Sequence, residues 1–269
     1  MCGRGPFSEL ENQNKCPAFF STTAIPIEDP MKIFDAIIIG AGQAGVPLAK
    51  KLAKAGRKVA LIEAKEVGGV CVNEGCTPTK TLIASARMAY LASKSQDLGI
   101  RIKKFRVDFK KIIERKDQVV RDFREGAEKG LEKTPNLQLF YGLATFKDAH
   151  TVRVKGQDQE ELQAKEIFIN AGSTPFVPPI DGLQHVDFLL SDSILHLKKV
   201  PKHLVIVGGG YIGLEYGQMF RRFGAKVTIL EEAPTLMPHE DEDVCEVISG
   251  IFKEESINIK LNAKASKVE

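Results

Sequence analysis

The 269-residue chain sets 38 Lys and Arg against 35 Asp and Glu, a net charge of +3, and is 43% hydrophobic. That can bury the core of one large or two ordinary domains, while the balanced charge gives no basis for nucleic acid or a membrane surface as partner. No apolar run reaches the roughly 18 residues of a membrane span, and the N-terminus lacks a secretory pattern, so a soluble cytoplasmic protein is expected.

Residues 1–30 contain four prolines and no sustained periodicity, which predicts an unstructured extension, either a functional arm or a misassigned start with Met31 as the true initiator. Five cysteines are too few and too scattered to staple a small fold. Cys2, Cys16 and Cys245 have no neighbouring cysteine and read as ordinary thiols.

From Lys32 the chain reads KIFDAIIIGAGQAGVPLAKKLAKAGRKVALIEA: a buried strand, a glycine turn, an amphipathic helix and a second buried strand. Gly40, Gly42 and Gly45 fit the G-x-G-x-x-G spacing of a dinucleotide-binding turn. Phosphates would sit at the helix N-terminus, where unpaired N–H groups and the dipole favour anions. Glu63 ends the second strand, where a carboxylate can accept hydrogen bonds from ribose hydroxyls.

The segment GGVCVNEGCTPTK, residues 68–80, follows at once. On an ideal helix Cys71 and Cys76 would point roughly 140° apart. A disulfide between them requires irregular backbone, which Gly75 and Pro78 would supply. A helix starting near Thr79 would direct its positive end at the thiols and favour thiolate. Metal ligation and inert buried thiols remain alternatives, although no second cysteine pair or histidine cluster accompanies the first.

Residues 78–95 and 108–133 read as helices, the second with Ile112, Ile113, Val119, Val120 and Phe123 on one side and a solvated charged face on the other. LQLFYGLATF, HTVRV and ELQAKEIFIN predict a small antiparallel meander. Pro175, Pro178, Pro179 and Gly182 mark a domain boundary, and at His203 the first pattern returns as HLVIVGGGYIGLEYGQMFRRFGAKVTILEE. Gly208, Gly210 and Gly213 precede Glu231 by the interval that separates the first turn from Glu63. Repetition of both turn and interval argues against glycines that merely turn a chain. Glu231 and Glu232 place negative charge where a 2′-phosphate would need an arginine, which predicts NADH over NADPH. NIKLNAKASKVE reads as a strand with nothing after it, so the second sheet is expected to be incomplete, as in a truncated protein.

GGVCVNEGCTPTK, together with the two glycine blocks in the same order, resembles the redox-disulfide signature of the class I pyridine nucleotide-disulfide oxidoreductases. These include dihydrolipoyl dehydrogenase, glutathione reductase and mercuric reductase, and the resemblance covers residues 32–269. It implies an α/β architecture of two Rossmann-like domains, the second incomplete: an FAD domain over residues 31–180 and an NAD(P) domain over 181–269. It further implies that electrons pass from nicotinamide through flavin to a Cys71–Cys76 disulfide. Cys71 would be the interchange thiol and Cys76 the thiol adjoining the flavin. Lys80 matches a lysine near flavin N5, paired with a glutamate that matches Glu215, and Tyr211 matches a tyrosine covering the nicotinamide pocket. Ala144, Ala171, Gly172 and Ser173 fall where the family contacts FAD with backbone. GCTPTK has threonines where many members have an aliphatic residue and a serine, and the substrate class is left between a disulfide or dithiol and Hg(II). The complete protein is expected to be a homodimer with acid-base residues in a later domain. The alternative is a nucleotide-binding fragment without efficient turnover.

Overall fold

The structure, a computed structural model, describes residues 31–269. The extension expected at residues 1–30, with Cys2 and Cys16, lies outside the described residues.

Strands β1 (Lys32–Ile39) and β2 (Val59–Glu63) flank helix α1 (Gly45–Lys54) and pair in parallel, Ala36 opposite Val59 and Ile39 opposite Ile62. β2 is buried along its whole length, as a strand covered on both faces must be. α1 turns Ala49 and Ala53 onto the sheet, small side chains that let helix and strands approach closely.

The chain then forms a short helix α2 (Gly69–Asn73), helix α3 (Cys76–Ser93) and helix α4 (Phe109–Glu132). The Asp108 carboxylate caps α4 by accepting from the Lys111 N–H at 3.1 Å. The apolar stripe expected on α4 divides. Val120 is buried and Ile112 and Ile113 pack on the core, but Phe123 is 58% exposed. Nor is the charged face wholly solvated: Lys116 lies buried, and its ammonium meets the Asp117 carboxylate at 2.5 Å.

Strands β3 (Leu137–Tyr141), β4 (Leu143–Phe146), β5 (Thr151–Lys155) and β6 (Gln159–Ile169) complete a six-stranded sheet of order β3-β2-β1-β6-β5-β4. The antiparallel meander is present as β4, β5 and β6. LQLFY is not part of it: β3 runs parallel to β2 at the opposite edge. The reason is Gly142, whose N–H bonds the Glu63 carbonyl and which separates two strands the sequence presents as one apolar run. β6 bridges both halves, antiparallel to β5 through Gln159–Gln163 and parallel to β1 through Leu162–Ile169.

The second unit consists of β7 (His203–Val207), helix α5 (Tyr211–Arg222), β8 (Lys226–Leu230), helix α6 (Glu242–Glu254) and a short β9 (Asn258–Lys260). Its three strands are parallel, in the order β7-β8-β9. The two sheets are separate, yet one hydrophobic core joins their helices. Leu82 and Ala86 of α3 and Phe109 of α4 are buried together with Leu214, Met219 and Phe220 of α5.

Candidate functional site

The turn between β1 and α1 is held from three sides. The Gly40 N–H bonds the Ile62 carbonyl at 2.7 Å, the Glu63 carboxylate accepts from the Ala41 N–H at 2.8 Å, and the Asn170 side chain donates to the Gly40 carbonyl at 3.2 Å. A Cβ on Gly45 would lie 2.0 Å from that same carbonyl, so only glycine lets the helix start so close beneath the turn. Glu63 also accepts from the Lys65 N–H at 2.8 Å. The carboxylate read from sequence as a ribose acceptor is therefore also a structural member of the turn. Each of its oxygens keeps a second acceptor position.

The second turn repeats this geometry. The Gly208 N–H bonds the Leu230 carbonyl at 2.8 Å, and Glu231 accepts from Gly209 at 2.5 Å and Ala233 at 2.8 Å. A Cβ on Gly213 would fall 2.4 Å from the Gly208 carbonyl. Gly210 is the cap residue before α5, and Tyr211, its first residue, is exposed. Among the described residues no side chain straps this turn as Asn170 straps the first.

The first turn leads directly to the cysteine segment. The Gly68 N–H bonds the Ala41 carbonyl at 2.8 Å, and a Cβ on Gly69 would lie 2.8 Å from the Gly42 Cα. Backbone thus meets backbone between the first glycine turn and α2. Cys71 lies within α2 and Cys76 is the first residue of α3, with the chain broken at Glu74 and Gly75. The expected irregularity is there, but Pro78 takes no part in it. Pro78 is the third residue of α3, where a missing N–H costs little, and the helix begins three residues before Thr79.

The two cysteines are not bonded to one another, and they are near enough to influence one another. Burial pushes the Cys71 thiol up, the Cys76 thiol adds to the rise, and the Cys76 backbone N–H opposes it. Cys76 is exposed in an open groove, walled by Lys80 and Ala84 of α3 and by Arg115, Val119 and Phe123 of α4.

Lys80 and Glu215 form an ion pair from α3 to α5, with side chains 61% and 34% exposed. Beside it, the Thr79 and Tyr216 hydroxyls lie 3.2 Å apart in the buried core. The remaining expected positions are more dispersed. Ala144 lies on β4, two residues beyond the Gly142 that bonds Glu63, whereas Ala171, Gly172 and Ser173 form an exposed segment after β6. Asn170, Thr79 and Tyr216 were not legible as members of the site. The one signal for Thr79 was the threonine itself, in place of the usual serine.

A family model described as pyridine nucleotide-disulphide oxidoreductase matches residues 34–269. The chain belongs to this family. Its members are FAD-dependent and take electrons from NAD(P)H. Curated members of the family that the chain resembles include the probable pyridine nucleotide-disulfide oxidoreductase RclA of Escherichia coli, 40% identical over 88% of this chain and 51% of that protein. A mercuric reductase of Lysinibacillus sphaericus is 36% identical over 88% and 43%, and a dihydrolipoyl dehydrogenase of Acholeplasma laidlawii 37% identical over 88% and 71%. Among solved structures, the Cu(II) complex of the HOCl-induced flavoprotein disulfide reductase RclA from E. coli superposes with a TM-score of 0.78 at 40% identity, covering 89% of this chain and 51% of that one. The chain spans about half the length of the first two of these curated relatives. Among the described residues no helix is long and apolar enough to cross a membrane.

The residues present fit the family's flavin. A helix N-terminus faces a turn that has no side chain at Gly42, and Gly69 leaves the facing backbone bare as well.

Proposed function

We propose that residues 31–180 hold FAD and a redox-active Cys71/Cys76 pair, that residues 181–269 hold a nicotinamide nucleotide, and that the complete protein is a homodimeric disulfide oxidoreductase of the cytoplasm. The observation that carries this reading is the junction of α3 with α5. It sets the helix that begins at Cys76 against the helix that follows the second glycine turn, with Lys80 and Glu215 paired across it.

Gly40, Gly42 and Gly45 would hold the FAD pyrophosphate at the N-terminus of α1, Glu63 would accept from the ribose, and the backbone at Ala144 and Ala171–Ser173 would complete the contacts. Gly208, Gly210 and Gly213 would do the same for the nicotinamide nucleotide, and Tyr211 would cover its nicotinamide. FAD, when bound, supplies the two-electron link between nicotinamide and the thiols. Lys80 holds positive charge beside it, where negative charge would develop.

The thiols perform the exchange. Deprotonated Cys71 attacks one sulfur of a substrate disulfide, the other sulfur leaves as a thiolate that takes up a proton, and a mixed disulfide results. Cys76 then attacks Cys71, which releases the second substrate thiol and leaves Cys71 bonded to Cys76. The reverse direction, oxidation of a dithiol, uses the same geometry. A soft ion such as Hg(II) is the other substrate class, because thiolates are soft ligands. The 269 residues taken alone constitute a second reading, a nucleotide-binding unit without efficient turnover, favoured by their half-length match to the first two relatives.

Glu231 supports a preference for NADH, since its carboxylate is fixed at the end of β8 where a 2′-phosphate would bring like charge. Glu232 is paired with Lys264 at 3.0 Å and adds less. The flavin-loaded protein is expected to develop a long-wavelength charge-transfer band on anaerobic two-electron reduction, to lose it in Cys76→Ser, and to be reduced faster by NADH than by NADPH. A band that survives in Cys76→Ser would refute the role of the thiol, and faster reduction by NADPH the role of Glu231.

A further inference from the structure

We infer that Tyr216 is a positioning residue for the redox pair, acting through Thr79; the inference rests on the thiol–flavin reading above. The two hydroxyls lie 3.2 Å apart, and the Tyr216 hydroxyl also donates to the Ser191 carbonyl at 2.7 Å. A phenol has one proton. With that proton committed to Ser191, the Tyr216 oxygen can only accept, so Thr79 is the donor. The result is a directed chain: Thr79 O–H to Tyr216, Tyr216 O–H to the Ser191 carbonyl.

This commitment sets Thr79 apart from its neighbour. Thr81 donates back to the Thr77 carbonyl at 2.8 Å, the usual resort of a helical threonine. Thr79 instead turns its hydroxyl out of its own helix and across the core to α5. The bond joins the first turn of α3, which begins at Cys76, to the first turns of α5 and to the loop at Ser191. Both partners are buried, and burial pushes the Tyr216 phenol up, so the hydroxyl stays protonated.

Lys80 and Glu215 are the next pair along the same two helices, and they are too exposed to fix the helices by themselves. A buried, directional hydrogen bond can do so, because rotation or sliding of α3 breaks it and leaves the buried Thr79 hydroxyl without its acceptor. Tyr216 thereby sets the azimuth of the turn that carries Cys76 and keeps Lys80 opposite Glu215. It touches neither substrate nor cofactor.

The intensity of the charge-transfer band measures the placement of the Cys76 sulfur against the ring, independently of turnover. In flavin-loaded protein, Tyr216→Phe and Thr79→Val are each expected to lose the greater part of that band. The double variant should lose no more than Tyr216→Phe alone, because that variant has already lost the bond that Thr79→Val removes, and Thr79→Ser should restore the band that Thr79→Val loses. Should Tyr216→Phe fail to fold, Thr79→Val against Thr79→Ser reads the same bond. A full-strength band in the folded single variants, or losses that add in the double variant, would overturn the positioning role while leaving the redox pair intact. Absence of any band in the unsubstituted protein would instead bring down the thiol–flavin reading and this inference with it.

Discussion

Gly40 and Gly208 hold nearly the same left-handed backbone, φ +103° and +106°, at equivalent points of the two turns, but their surroundings differ. A Cβ on Gly40 would sit 2.1 Å from the Asn170 carbonyl oxygen, a backbone atom that cannot move aside, whereas a Cβ on Gly208 would meet nothing within 4 Å. Alanine at Gly208 therefore adds only the conformational strain of positive φ, about 1–3 kcal/mol. Alanine at Gly40 adds that strain and an overpacking cost of about 1–3 kcal/mol more. Chemical denaturation should show Gly40→Ala as clearly the less stable variant; equal losses would mean that the Asn170 strap yields freely.

At the scale of elements, the best-enclosed ion pair ties α5 to the end of α6. Arg222 and Glu255 are only 14% and 7% exposed in their side chains, and Arg222 spans both carboxylate oxygens at 2.9 and 2.6 Å. Gln218 donates to the same carboxylate at 2.8 Å, and the Arg222 guanidinium stacks 4.5 Å from the centre of the Tyr90 ring on α3. Three helices thus meet at one guanidinium. Removing the carboxylate would strand a buried cation, so Glu255→Ala is expected to cost about 3–5 kcal/mol in urea unfolding. A loss below about 1 kcal/mol would show the pair behaving as a surface bridge.

Across the whole molecule, the joint between the two sheets is aromatic. Phe109, Phe220 and Phe223 contact one another with ring centroids 5.6 to 6.3 Å apart, mostly edge to face, and draw α4 and α5 into one core. Phe220 is fully enclosed, and truncating it is expected to cost about 3–5 kcal/mol. Because this loss falls on the joint, Phe220→Ala should also uncouple the two units. Hydrogen exchange at β7 and β8 should then accelerate well before that at β1 and β2. Uniform acceleration in both sheets would mean that the cohesion lies elsewhere.

The periodic and the repeated were legible in the sequence: two strand–glycine–helix–strand units, each closed by a glutamate at one interval, and helices over Cys76–Ser93 and Phe109–Glu132 found to within about two residues. These features are written locally, because a buried parallel strand must be apolar throughout and a tight turn beneath a helix must be glycine. The neighbours of each element were not written there. LQLFY crossed to the far edge of the sheet on the strength of one glycine, and Phe123 left the core stripe for the groove beside Cys76. The strap of Asn170 over Gly40 joins residues 130 positions apart, and the Thr79–Tyr216 bond residues 137 apart. Hydrogen bonds of that separation exist only once the sheets and the shared core have set the distance between their partners, so no local pattern encodes them. The sequence by itself determined the two glycine turns and the cysteine pair; only the tertiary structure decided how the helix bearing Cys76 is anchored to the unit that follows.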